Sequence, residues 1–176
     1  MKLYAPLAVA YVALVVLANW LASKYLITVP FTHYLAPAGV LCIGVVLVLR
    51  DWLWQLRGFW SSVALILVAG ILSYVIGVVG GYGSLQRIAL ASLLAFVVSE
   101  GIFESLVFAP LRKRHLTLGV AASASVGNLI DSFVFLVIAF PAFWTSLYAG
   151  NVIGKFEMIA VGVALTAARR RLVPVG

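Results

Sequence analysis

The sequence predicts an all-α integral membrane protein of six transmembrane helices with both termini in the cytoplasm, and three observations lead there. Of 176 residues, 65% are apolar and only 10% are charged, whereas a soluble domain is about half apolar and about a quarter charged. The apolar residues gather in runs long enough to cross the hydrocarbon, which takes about 20 residues of helix. Lysine and arginine, finally, fall mainly on one set of the links between those runs. So many apolar side chains exceed what one compact domain can bury, and lipid must cover the remainder.

Six runs qualify as spans. The first extends from about Leu3 to Ser23 and the second from about Leu35 to Trp54, where Pro37 suits a first helical turn. The third covers about Phe59 to Val79 and stops at the glycine-rich link GGYGS. The fourth runs from about Leu85 to Ala109, ended by Pro110, whose ring cannot continue a helix; the fifth runs from about Leu116 to Phe140, before Pro141. The sixth, about Ala149 to Ala168, carries Lys155 and Glu157 in its first two turns. Strand-like alternation is absent, which sets aside a β-barrel. Residues 1–176 therefore read as a single six-helix domain in which the longest link is Lys24 to Tyr34.

With six spans, both ends share one side with the second-to-third and fourth-to-fifth links. That side collects Lys2, Arg50, Arg57, Arg112, Lys113, Arg114, Arg169, Arg170 and Arg171, leaving Lys24, Arg87 and Lys155 for the other side or its adjoining helix ends. The positive-inside rule makes the first side cytoplasmic, in a multi-pass protein of the cell membrane. Met-Lys and the small residues AVA at 8–10 also suit a secretory leader, but the apolar run outlasts the usual 7 to 15 residues of one, so it is read as a retained span.

These features exclude several function classes. The net charge of +7 acts as an orientation signal, since nucleic-acid binding would need a soluble basic face. The single Cys42 rules out an internal disulfide and a thiolate metal site, and His33 has no nearby second histidine or cysteine, so neither metal nor cofactor is expected. No histidine stands at membrane depth to activate Ser99, Ser123 or Ser125, and Asp51 and Asp131 lie at different depths, which argues against an enzyme. GGYGS echoes a potassium-channel filter but lacks the re-entrant helix a filter needs.

Any activity must then lie within the bundle, where a charge near mid-membrane costs roughly 2.5 to 3.5 kcal/mol on insertion scales and marks function by default. Glu100 lies about 15 Å from the end of the fourth span at Pro110, and Glu104 follows one turn later on the same face. Asn128 and Asp131 share a face of the fifth span, with Ser125 and Ser132 close by. With no basic residue apparent at their depth, the acids suggest a site between the fourth and fifth helices, against the alternative of interhelical fasteners. Asn19 and Trp20 offer an amide and a stacking ring, and Phe103, Phe133 and Phe135 a slot for a flat ring. Arg50 and Asp51 read as a gate or a structural lock, with Glu104 a partner for Arg50. RKRH at 112–115 reads as a solvated anchor at the anionic headgroups.

The stretch from Ser99 to Phe140 also resembles a known family. Glu104, VFAPLR at 107–112, the basic link RKRH and ASASVGNLIDSFVF at 122–135 are similar to the paired fourth and fifth helices of the queuosine-precursor transporters, or vitamin-uptake transporter family. Weaker similarity extends to NWLASK at 19–24, the aspartate of RDWLWQLRG at 50–58 and QRIALAS at 86–92. The resemblance implies a secondary carrier that imports 7-cyano- or 7-aminomethyl-7-deazaguanine and places Glu104, Asn128 and Asp131 at the substrate. Glu104 stands where aspartate is common in the family, and Glu100 adds a carboxylate. A substrate-capturing subunit of an energy-coupling-factor transporter and a non-transporting scaffold are the alternatives, and small-residue faces permit a homodimer.

Overall fold

The computed structural model describes residues 4–99, 116–140 and 145–172, and their side chains except at 51, 54, 55, 59, 116–125 and 162–172. These residues form six α-helices: α1 (Tyr4–Lys24), α2 (Val40–Arg57), α3 (Phe59–Val79), α4 (Gly83–Phe96), α5 (Leu116–Ala139) and α6 (Thr145–Leu172). Two of them, Tyr4–Lys24 and Trp60–Val79, are long and apolar enough to cross a bilayer by length and composition; Val40–Arg50, Gly83–Ser99 and Val126–Ala139 are shorter apolar helices. The exposed face of α3 is largely aliphatic, with Leu67, Val68, Ile71, Val75 and Val79 all turned outward. A helix fits such surroundings because its backbone bonds close within one segment and leave nothing for water to satisfy.

Helix α1 occupies the middle of the packing, against α2, α3 and α4, while α2 packs on α6 and α4 on α5. Tyr11 and Leu53 are fully buried in the cluster that joins α1 to α2. The link from α2 to α3 is the single residue Gly58, whose φ of 82° is open to glycine at no steric cost. At this end of the bundle the Tyr4 hydroxyl bonds Ser61 Oγ, and the Arg57 guanidinium lies 4.6 Å from the centroid of the Tyr4 ring. At the opposite end the Lys24 ammonium lies 4.6 Å from the Tyr82 ring. The two cation–π contacts therefore mark opposite faces of one antiparallel stack.

The segment read from the sequence as a plain loop is a two-stranded antiparallel ribbon, β1 (Leu26–Thr28) with β2 (Leu35–Pro37), in which Leu26 faces Pro37 and Thr28 faces Leu35. Pro37 accordingly ends a strand and does not open a helix, and α2 starts three residues later. The ribbon turns at Val29-Pro30-Phe31-Thr32, where the Thr32 N–H donates to the Val29 carbonyl at 3.1 Å and Phe31 takes a φ of 59°. Val29, Ala36 and Val40 form a small core with Ile27 of the ribbon and Ile153 of α6. At Gly150 the α6 backbone approaches so closely that a Cβ there would overlap the Leu35 carbonyl.

Helix α6 begins at Thr145, one turn before the expected Ala149. Lys155 thus lies about 15 Å along a 28-residue helix and not at its outer end. Helix α4 opens at Gly83 and passes at residues 97–99 into a wider π-type turn. The expected remainder of that span, with Glu100, Phe103, Glu104 and the basic link 112–115, lies outside the described residues.

Candidate functional site

Among the described residues, two helices each carry a pair of polar side chains on one face. On α5, Asn128 and Asp131 are three apart and share a face; on α6, Asn151 and Lys155 are four apart and do the same. The opposite side of α6 is committed elsewhere, since Gly150, Ile153 and Gly154 pack on the ribbon and the start of α2. That leaves Tyr148, Val152 and Lys155 to meet α5. The Tyr148 hydroxyl donates to the Leu129 carbonyl at 3.2 Å, and Asn128 Nδ2 donates to the Val152 carbonyl at 3.2 Å.

Asp131 forms an ion pair with Lys155. The lysine side chain is 11% exposed and the aspartate 30%, so the pair is largely withdrawn from the surface while the carboxylate keeps an open edge. A helical side chain leans toward the helix N-terminus, and Lys155 reaches back in this way along α6 to the level of Asp131. Its ammonium also stands 5.9 Å from the centroid of Phe135, one turn beyond Asp131 on α5. A basic residue therefore meets Asp131, contrary to the expectation from the sequence. The sequence did not reveal it because moving the helix start by one turn moves Lys155 from the interface to the interior.

The two asparagines differ. Asn128 is 7% exposed and uses both ends of its amide, Nδ2 toward Val152 and Oδ1 as acceptor for the Ser132 hydroxyl at 3.1 Å. Asn151 is 1% exposed and its Nδ2 has no hydrogen-bond partner. Leaving a buried donor unmade costs about 1 to 3 kcal/mol. Asn151 was not among the residues singled out from the sequence; its i, i+4 spacing to Lys155 was the available signal.

The remaining expected site residues do not converge here in the same way. Asn19 is 5% exposed and donates to Ser73 Oγ at 3.1 Å, joining α1 to α3. Trp20, its neighbour, points to another face, stands edge-on to Tyr25 and lines an open apolar groove of about 340 Å³ with Leu17, Leu72, Ile76 and Leu85. Phe133 is half exposed and stands edge-on to Tyr148 at 6.3 Å, whereas Phe135 packs inward with Ala22, Ile88 and Ala91. Arg50 is partly buried on α2, and the Asp51 side chain lies outside the described residues.

An apolar helical bundle with a lipid-compatible exterior and an ion pair largely withdrawn between two of its helices has the make-up of a membrane protein. A family model described as "Putative vitamin uptake transporter" matches residues 79–168, which is half of the chain and contains Asn128, Asp131, Asn151 and Lys155; the protein belongs to this family. The "Probable queuosine precursor transporter" of Bacillus subtilis (strain 168) is 30% identical over 103 residues, an alignment covering 53% of this chain and 44% of the relative. The match thus spans less than half the length of that relative. No solved structure matches the chain significantly.

Proposed function

We infer that the protein is a multi-pass carrier of the cell membrane that imports queuosine precursors, the 7-deazaguanine bases, by secondary transport. The observation that carries this reading is the relative's printed function, joined to a family match that encloses the buried polar site. The chemistry supports it. A deazaguanine presents N1–H and an exocyclic amine on one edge, two donors that a carboxylate such as Asp131 accepts side by side, and an oxygen that an asparagine amide can meet. Phe135, next to the ion pair, offers a face for the flat ring. Six spans with both ends in the cytoplasm complete the reading, and Glu100, Phe103 and Glu104 remain candidates for the same site from the fourth span.

Uptake of labelled 7-cyano- and 7-aminomethyl-7-deazaguanine into cells that neither make nor import them tests the proposal. Wild type is expected to accumulate at least one base, while Asp131→Asn and Glu104→Gln at matched membrane expression accumulate about tenfold less or lower. No uptake by a well-expressed wild type would refute the assignment.

A further inference from the structure

We propose that Lys155 is a specificity residue: by neutralising Asp131 from within the bundle it shifts the preference of the site away from a cationic purine-like base and toward an uncharged one, with Asn151 as the amide that reads the base. This rests on the transport reading above and extends it to a choice between substrates.

Three observations carry the argument. The first is charge. Asp131 alone would give the α5 face a net negative charge, which would favour a positively charged ligand, but Lys155 cancels it from one helix away. An aminomethyl base brings an ammonium close to Lys155 and meets repulsion in a site shielded from water, whereas a cyano base brings none. The second is reach. Lysine carries its charge on a flexible stem with three donors, so the ammonium can leave one edge of Asp131 to the donors of a base and turn its own N–H groups to the acceptor side. The open edge of the carboxylate, 30% exposed, is where that exchange begins. The third is the unused donor. Asn128 is tied to Val152 and Ser132 and acts as a positioning residue, while Asn151, one turn from Lys155 and on the same face, keeps an unpartnered Nδ2 at 1% exposure. A ring oxygen brought to it would satisfy that donor.

The test is a competition between the cyano and aminomethyl bases, read as the ratio of the two uptakes within each variant, which does not depend on expression level. The wild-type ratio is the reference. Lys155→Met should move the ratio toward the aminomethyl base by about tenfold or more, and Lys155→Arg should restore the wild-type preference. Asn151→Asp provides a second route that keeps the ion pair: a carboxylate beside Lys155 should shift the ratio in the same direction, so the idea remains open to refutation if Lys155→Met does not fold. An unchanged ratio in Lys155→Met, or in Asn151→Asp where the first is unfolded, overturns the proposal and leaves the pair as a fastener, with the transport reading intact. A wild type that takes up neither base overturns both.

Discussion

The first three helices and the last two solve the same problem differently. Both regions bury polar side chains in an apolar bundle. Among the described residues of α1 to α3 the fully buried ones are neutral and mostly satisfied within the bundle: Asn19 donates to Ser73 and Ser73 donates onward to the Ala69 carbonyl at 2.8 Å, while Arg50 is only partly buried. Ser62 Oγ is the buried hydroxyl left over there. In α5 and α6 the buried groups include the Lys155 ammonium, paired with the partly exposed Asp131 carboxylate, and an amide N–H without a partner. Neutral hydrogen bonds between helices contribute about 1 kcal/mol each and fasten the bundle. Charged groups cost far more to bury, and a structure that keeps them is set up for something besides cohesion. The family match, at residues 79–168, begins where the first region ends.

The sharpest way to break this comparison is to remove one charge. Lys155→Ala leaves the Asp131 carboxylate without its partner and is expected to lower stability by about 3 kcal/mol, seen as a reduced melting temperature of the purified protein in detergent. The double variant Lys155→Met/Asp131→Asn should recover most of that loss yet remain unable to transport; if it transports normally, the pair is structural and the two regions are alike. Next in size, Gly150→Val forces a side chain into the Leu35 carbonyl and should cost about 2 kcal/mol, with hydrogen exchange rising across residues 26–37. Insensitivity of the ribbon would mean that α6 can shift without it.

A smaller effect tests the first region. Asn19→Ala removes one interhelical bond, while Ser73 keeps its bond to Ala69, so stability should fall by about 1 kcal/mol and the uptake KM should stay at the wild-type value. Loss of uptake with stability unchanged would move the site into α1 and erase the contrast. The smallest concerns Phe31, fully exposed at the ribbon tip with a φ of 59°. Phe31→Gly relieves a left-handed conformation at the expense of a looser unfolded chain, and a net gain of about 0.5 kcal/mol is expected in detergent.

Much of the fold was legible. Phe59 to Val79 as the third helix matches the structure, and Leu116 to Phe140 as the fifth agrees with the observed Leu116–Ala139 to one residue, because glycine or proline ends each apolar run. Asn128 and Asp131 were found from their shared face and their rarity at depth. The ribbon was missed because strands of three residues are too short to show alternation, and because Pro37 serves equally well at a helix start or a strand end. Lys155 was missed because an outer helix end is a normal place for lysine, and only the observed start at Thr145 moves it inward.

By itself the sequence determined the solvent and therefore the secondary structure: a chain this apolar must lie in lipid, and in lipid the backbone must satisfy its own hydrogen bonds, which selects helices. What it did not determine is which polar group has a partner. Asn19 and Ser73 are 54 residues apart, and Asp131 and Lys155 are 24 apart. Pairing across such separations depends on helix register and rotation, set by contacts such as Gly150 against Leu35 that no local pattern encodes. The tertiary structure alone therefore decided that Asn128 is engaged, that Asn151 has a donor to spare, and that the charge of Asp131 is met from within.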